Sequence, residues 1–200
     1  YCPDDIAAFE SAGVELVPFD TLSGQCLPEV DGLFIGGGFP ECFIGDLAAN
    51  KTMRSEIKMF IESGGPAYAE CGGLMYLSCS ISWRDQSGPM VGVIPAHTKV
   101  LDRPVGRGYV QLRVRSDHPW TAVRENAGSL IPAHEFHHSS LEPVDADWPT
   151  AFTVERGHGL DGGRDGIHIY NLLAGYAHQR HVQANPWVDA FVDFVHEHRK

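Results

Sequence analysis

The chain is 200 residues long, 43% apolar, and carries a formal charge of −11 at neutral pH. That is enough chain to bury one hydrophobic core and little more, and the acidic balance excludes a phosphate-neutralising surface for nucleic acid or an anionic membrane. No run approaches the roughly 18 consecutive apolar residues that a membrane-spanning helix needs.

From the N-terminus, Ile6 to Ala12 reads as a short helix, with Asp4 or Asp5 as N-cap and Gly13 as its stop. Val14 to Phe19 reads as a buried strand, and Val30 to Ile35 as a second that ends in Gly36-Gly37-Gly38. Leu47 to Ser63 has helical periodicity, with Met53, Ile57, Phe60 and Ile61 on one face. Pro66 to Glu70 is a short strand, and Gly72 opens a helix that runs to Leu77. Strand and helix alternate through this half, the pattern of a parallel sheet covered on both faces. Val91 to Val93, Tyr109 to Arg115 and Ile131 to Phe136 then read as strands joined by Gly, Pro and Asp turns, an antiparallel extension. Gly166 to Tyr170 and Leu172 to Ala177 are paired short strands, and Val188 to Glu197 is an amphipathic helix. The fold class is α/β: a mostly parallel, doubly wound sheet with a small antiparallel extension. With no repeat and no linker, residues 1–200 form one domain.

The five cysteines contain no CxxC pair, so reduced thiols in a cytoplasmic protein are the simplest reading. The chain starts at Tyr1 without a methionine or signal sequence, as a piece of something longer does.

Three segments carry candidate chemistry. In Pro66-Ala67-Tyr68-Ala69-Glu70-Cys71-Gly72-Gly73, a strand runs into Cys71 and two glycines precede a helix. That is the layout of a nucleophile elbow, in which a sharp turn holds the nucleophile in a strained conformation at a helix N-terminus that favours a thiolate. A small buried cysteine in a glycine-rich turn fits the same letters. Gly36-Gly37-Gly38-Phe39-Pro40-Glu41 can turn backbone amides toward a developing oxyanion, or be an ordinary βα turn. A phosphate loop is disfavoured because no Gly-Lys-Ser/Thr follows. Finally, Gly175-Tyr176-Ala177-His178-Gln179-Arg180-His181 puts two imidazoles, either of which could activate a thiol or merely pack, at a strand end.

Taken in order, these motifs resemble the cobyrinic acid a,c-diamide synthase family of class I, triad-type glutamine amidotransferases. The resemblance runs through Leu33 to Glu41, Ala69 to Leu77, His134-Glu135-Phe136-His137-His138-Ser139, and Asp165-Gly166-Ile167 leading into Tyr176-Ala177-His178. It implies a flavodoxin-like glutaminase domain that begins after its own first strand. It also implies a separate N-terminal synthetase domain, absent from this chain, which uses ATP and Mg to activate carboxylates of a tetrapyrrole. No cofactor is expected in this domain, and no metal. Its partners would be glutamine, that synthetase domain, and the tetrapyrrole bound there: a cobyrinate, or a sirohaem-like or nickel tetrapyrrole.

Carried over by position, the resemblance makes Cys71 the nucleophile and His178 its base, with His181 as the alternative. Gly72 with Gly37 or Gly38 would supply oxyanion donors, and Ser139 would meet the amino-acid end of glutamine. Arg180 stands where many class I glutaminases carry the glutamate of a Cys-His-Glu triad, so a Cys71–His178 dyad is the expectation. Two other classes compete. A DJ-1/PfpI-type cysteine hydrolase shares the elbow but has its base soon after the nucleophile, whereas here the next histidine is His97. A zinc or non-catalytic module could use His134, His137 and His138, but alternation on a strand points His134 and His137 to opposite faces.

Overall fold

The computed structural model describes residues 2–144 and 148–199. In chain order it contains α1 (Pro3–Ser11), β1 (Leu33–Ile35), a 3-10 turn (Pro40–Phe43), α2 (Ile44–Ala49), α3 (Lys51–Glu62), β2 (Ala67–Glu70) and α4 (Gly72–Leu77). There follow β3 (Ser78–Trp83), β4 (Gln86–Pro89), β5 (Ile94–Val100), β6 (Gly106–Val114), α5 (Thr121–Arg124), β7 (Leu130–His137) and β8 (Ser139–Pro143). The last elements are β9 (Thr150–Arg156), β10 (Arg164–Ile169), β11 (Leu172–Gly175) and α6 (Trp187–His198).

The main sheet has seven strands in the order β1-β2-β11-β10-β9-β6-β7. Its α/β part is the parallel set β1-β2-β11, and the four strands beyond it pair antiparallel. The paired short strands expected near residue 170 are β10 and β11. Side chains alternate across the parallel set as period-two geometry requires. Leu33, Ile35, Ala67, Ala69, Leu172 and Ala174 face one core, where α2, α3 and α4 pack. Phe34, Tyr68, Leu173 and Ala177 face the other, against α1 and α6. That second core is strongly aromatic: Tyr68 lies 4.9 Å from Trp187 and 5.2 Å from Trp120, centroid to centroid.

Several expectations are corrected. Val14 to Phe19 is not a buried strand but coil, with Leu16 and Val17 each about two-fifths exposed. An extended segment becomes a strand only when a neighbour satisfies its amides, and this one borders a cavity of about 950 Å³ along the outer edge of β1. Neither Asp4 nor Asp5 caps α1. Cys2 is the N-cap, and Asp5 is buried, accepting from the His181 amide (2.7 Å) and the Trp187 indole (3.2 Å). The helix predicted over Leu47–Ser63 is two helices, and Phe60 is only partly buried beside Met53, Ile57 and Ile61. Val91 to Val93 is coil leading into β5, which belongs to a second sheet, β4-β3-β5-β8, closing over the first core. Among the described residues no helix is long and apolar enough to cross a membrane.

The break between α2 and α3 has a specific cause. Asn50 Oδ1 accepts the Met53 amide at 3.2 Å as the N-cap of α3, while its Nδ2 donates to the carbonyls of Gly24 (3.0 Å) and Thr21 (3.2 Å). One side chain starts a helix and ties down a remote loop. Asn50→Ala is expected to destabilise the protein by about 1–2 kcal/mol, from the lost cap and stranded carbonyls. Urea unfolding checks this, with Asn50→Asp recovering the cap but not the two donated bonds.

Candidate active site

The parallel pairing of β2 and β11 ends both strands at one level, with Glu70 opposite Gly175. Cys71 continues β2 by donating its amide to the Gly175 carbonyl (2.8 Å), and its own carbonyl accepts from Met75 in the first turn of α4. To make both bonds Cys71 takes φ +47° and ψ −103°, a region that non-glycine residues rarely enter and that costs about 1–3 kcal/mol. The nucleophile elbow expected from sequence is present. The thiol is buried, 3.7 Å from the Phe136 carbonyl at the end of β7.

His178 follows three residues after β11 and is mostly enclosed. Its ring stacks on His134 of β7, centroids 4.8 Å apart, and the two residues exchange backbone hydrogen bonds (2.7 and 3.1 Å). Its Cε1 edge is pressed on Gly37, where a Cβ would stand 2.5 Å from His178 Cε1. Burial opposes an imidazolium there, but contacts with Cys71 and Glu70 outweigh it and push the His178 pKa up to about 10. Burial and the His178 charge hold His134 below the usual imidazole value.

The glycines divide their duties. A Cβ on Gly72 would stand 2.5 Å from the Gly38 carbonyl oxygen and 2.7 Å from its nitrogen, so the two backbones touch beside Cys71. Gly38 itself faces open space. The loop after β1 and the start of α4 therefore pack backbone to backbone, a closeness that glycine at position 72 allows. The large cavity along β1 reaches Gly37, Gly38 and Gly72 but is not lined by Cys71 or His178.

Two sequence expectations move. Ser139 is fully buried, its hydroxyl paired with the Tyr176 hydroxyl at 2.9 Å, and Tyr176 stacks on His137 at 3.8 Å. Ser139 has no exposed surface to offer the amino-acid end of a ligand, and its hydroxyl holds Tyr176 instead. His181 is anchored by Asp5 on the α1 side, whereas His178 contacts Cys71. Arg180 turns outward to an exposed pair with Asp4 (2.6 Å) and leaves the place of a triad glutamate empty. His134 and His137 do point to opposite faces of β7. Among the described residues no three His, Cys, Asp or Glu side chains converge as metal ligands.

Three acids escaped the sequence reading. Asp165 is buried and accepts from the amides of Tyr176 (3.0 Å) and Ala177 (2.9 Å), fixing the segment that carries His178. Glu70 is buried one residue before Cys71, with Oε2 3.4 Å from His178 Nδ1. Glu41 has an enclosed carboxylate oxygen with no hydrogen-bond partner, and burial pushes its carboxyl above the ordinary range. A carboxylate ending the otherwise apolar run Ala67-Tyr68-Ala69 was the available signal for Glu70, because buried charge needs a reason.

The sequence matches the family described as CobB/CobQ-like glutamine amidotransferase domain over residues 1–186. It is 40% identical to a cobyrinate a,c-diamide synthase of Magnetococcus marinus over 98% of this chain and 41% of that protein. It is 37% identical to the Methanosarcina barkeri protein of the same name, over 100% and 42%. To that of Archaeoglobus fulgidus it is 45% identical, over 82% and 35%. The chain thus spans about two fifths of the length of these relatives. Among solved structures, PurLQS from Thermotoga maritima superposes with a TM-score of 0.67 at 18% identity, covering 97% of this chain and 91% of that one. A crystal structure of a glutamine amidotransferase gives 0.66 at 16% identity, covering 96% and 93%. At such identities the likeness establishes the fold alone.

Two outcomes follow from this geometry. Gly37→Ala drives a methyl into the His178 ring and is expected to slow Cys71 alkylation roughly 100-fold, while Gly38→Ala, facing open space, changes it little. Iodoacetamide labelling rates measure both. Second, a histidine whose pKa is raised by folding stabilises fully below its ordinary value of 6.5 and loses that contribution as pH rises through about 10. The melting temperature of the native protein should therefore fall across that window more steeply than that of His178→Asn, measured by calorimetry.

Proposed function

The chain belongs to the CobB/CobQ-like glutamine amidotransferase domain family, and from that membership we propose that it hydrolyses glutamine through a Cys71 thioester. The single observation that carries the reading is Cys71 held at positive φ on a strand-to-helix turn, in contact with His178. The transferable proton rests on His178, whose imidazolium is favoured by its neighbours, and the Cys71 sulfur attacks the side-chain carboxamide carbon of glutamine. Negative charge develops on the carboxamide oxygen, which the amides of Gly72 and of Gly37 or Gly38 receive; one such donor is worth about 3–4 kcal/mol of barrier. His178 then gives its proton to the departing nitrogen, the C–N bond breaks, and ammonia leaves a glutamyl thioester. Water, activated by the now neutral His178, opens the thioester and releases glutamate.

The relatives' name and their greater length support the wider role. The ammonia would pass to an ATP- and Mg-dependent synthetase domain that amidates side-chain carboxylates of a tetrapyrrole, a cobyrinate in the first instance. Amidation of a sirohaem-like or nickel tetrapyrrole would use the same glutaminase chemistry.

The test is intact-mass spectrometry after incubation with 6-diazo-5-oxo-norleucine, an alkylating analogue of glutamine. A single adduct mapped to Cys71, blocked by glutamine and missing from Cys71→Ala, is the expected result. Labelling elsewhere, or labelling that glutamine does not block, would reject the glutaminase assignment.

A further inference from the structure

Arg180 occupies the position from which many class I glutaminases orient their histidine, and it points away. Something else must fix the His178 ring, because a free imidazole samples both tautomers and several rotamers. The groups facing it are Cys71, Glu70 and the His134 ring. His134 packs against the ring face and holds its plane, but cannot choose which nitrogen carries a proton.

Glu70 can. Its carboxylate is buried on the α1–α6 face of β2, where an unpaired charge would be costly. Oε1 accepts two hydrogen bonds, from the Gln179 amide (2.9 Å) and the Tyr68 hydroxyl (2.7 Å). Tyr68 in turn accepts from Gln179 Nε2 (2.9 Å), and Gln179 Oε1 from Asn185 Nδ2 (3.2 Å). This chain of donors converges on Glu70 Oε1, and with Oε1 so engaged Oε2 is left 3.4 Å from His178 Nδ1. An ionised carboxylate only accepts, so it demands a proton on Nδ1 and leaves Nε2 to exchange a proton with the Cys71 sulfur.

We propose that Glu70 is the positioning carboxylate of His178, a third member supplied by the residue before the nucleophile rather than by one after the base. It rests on the reading of Cys71 and His178 as the reacting pair. The local geometry makes the substitution of one source for another economical. Glu70 and Gly175 are register partners, so the carboxylate and the start of the His178 segment lie side by side. The bond from the Gln179 amide to Oε1 then fixes the backbone just after His178, as Asp165 fixes it just before.

The decisive variant is Glu70→Gln, which keeps the shape and puts an amide donor where Oε2 accepts. In the intact protein, nitrogen-15 NMR of the histidine rings, recorded above the His178 titration near pH 10 where the ring is neutral, is expected to find His178 as the Nδ1–H form in the native protein. In Glu70→Gln that proton moves to Nε2, and the His178 titration midpoint falls. Glutamine hydrolysis should lose roughly 10²- to 10⁴-fold in kcat with little change in KM, the penalty of a mis-set tautomer. Tyr68→Phe, which removes one of the two bonds holding Oε1, gives a smaller loss in the same direction and covers the case in which Glu70→Gln folds poorly. An unchanged His178 tautomer and titration in both variants overturns the proposal, whatever the glutaminase assay reads. If the diazo-oxo-norleucine adduct forms on Cys71 while the tautomer is insensitive to Glu70, only the positioning role fails. If the tautomer follows Glu70 but no adduct forms, the glutaminase reading fails and the positioning role stands.

Discussion

The parallel pairing of β2 with β11 is the constraint on which the site depends. Two adjacent parallel strands end at the same edge of a sheet, and whatever follows each of them emerges side by side. Here the register Ala67–Leu172 through Glu70–Gly175 delivers Cys71 and the His178 segment to one point, although more than 100 residues separate them in sequence. β1, on the other side of β2, ends level with them and adds the Gly36–Gly38 loop. The antiparallel strands supply what the parallel set lacks. β7 crosses back at the far end of the sheet order and returns to the site through the His134–His178 bridge, bringing a ring to stack and a carbonyl to face the thiol.

Placing these groups buries charge, and the molecule handles each case in the same way. Asp165 is enclosed and accepts the amides of Tyr176 and Ala177; Glu135 is enclosed and accepts those of His158 (2.8 Å) and Gly159 (2.9 Å); Asp5 accepts that of His181. Burial raises the carboxyl pKa of Asp165 and Asp5, and the donated amides pull against it. At Glu135 the balance tips the other way: burial still raises the value, but His137 and the two amides together leave it lowered. Three acids thus anchor three stretches of irregular chain whose amides no ladder satisfies. Two of those stretches, Tyr176–Ala177 and His181, flank the catalytic candidate His178.

Much of this was legible from the sequence, because the motifs encode backbone requirements. Cys71 between a strand and two glycines demanded an elbow, and the positive φ is there. The glycines of both turns read as allowing a close approach, and Gly37 and Gly72 each have a neighbour where a Cβ would go, whereas Gly38 does not. Alternation on β7 correctly separated His134 from His137. What could not be read was anything set by a partner remote in sequence. Val14 to Phe19 has the letters of a strand but no ladder to join. The helical period through Asn50 is continuous, yet that side chain prefers a cap and two loop carbonyls to helix. Ser139 looked like a ligand group and became a buried partner of Tyr176, 37 residues away.

Glu70 illustrates the same limit from the other direction. A search for an orienting acid looks downstream of the histidine, where sequence spacing on one strand end keeps two side chains together. Position 180 satisfies that spacing, but its neighbour in space is Asp4 of α1, and an arginine there makes an exposed pair that adds little to stability. A carboxylate on β2 reaches the same imidazole from across the strand pair, because the register rather than the sequence interval sets the distance. Its side chain must then share a face with Tyr68, two residues earlier, and the Tyr68 hydroxyl is the donor that β2 itself provides. Tyr68 also sits among Trp120, Trp187 and Phe191, so its ring is held by the aromatic core while its hydroxyl holds the acid. The rigidity of the imidazole is thereby borrowed from the packing of α6 and β2, which no short motif around the histidine could report.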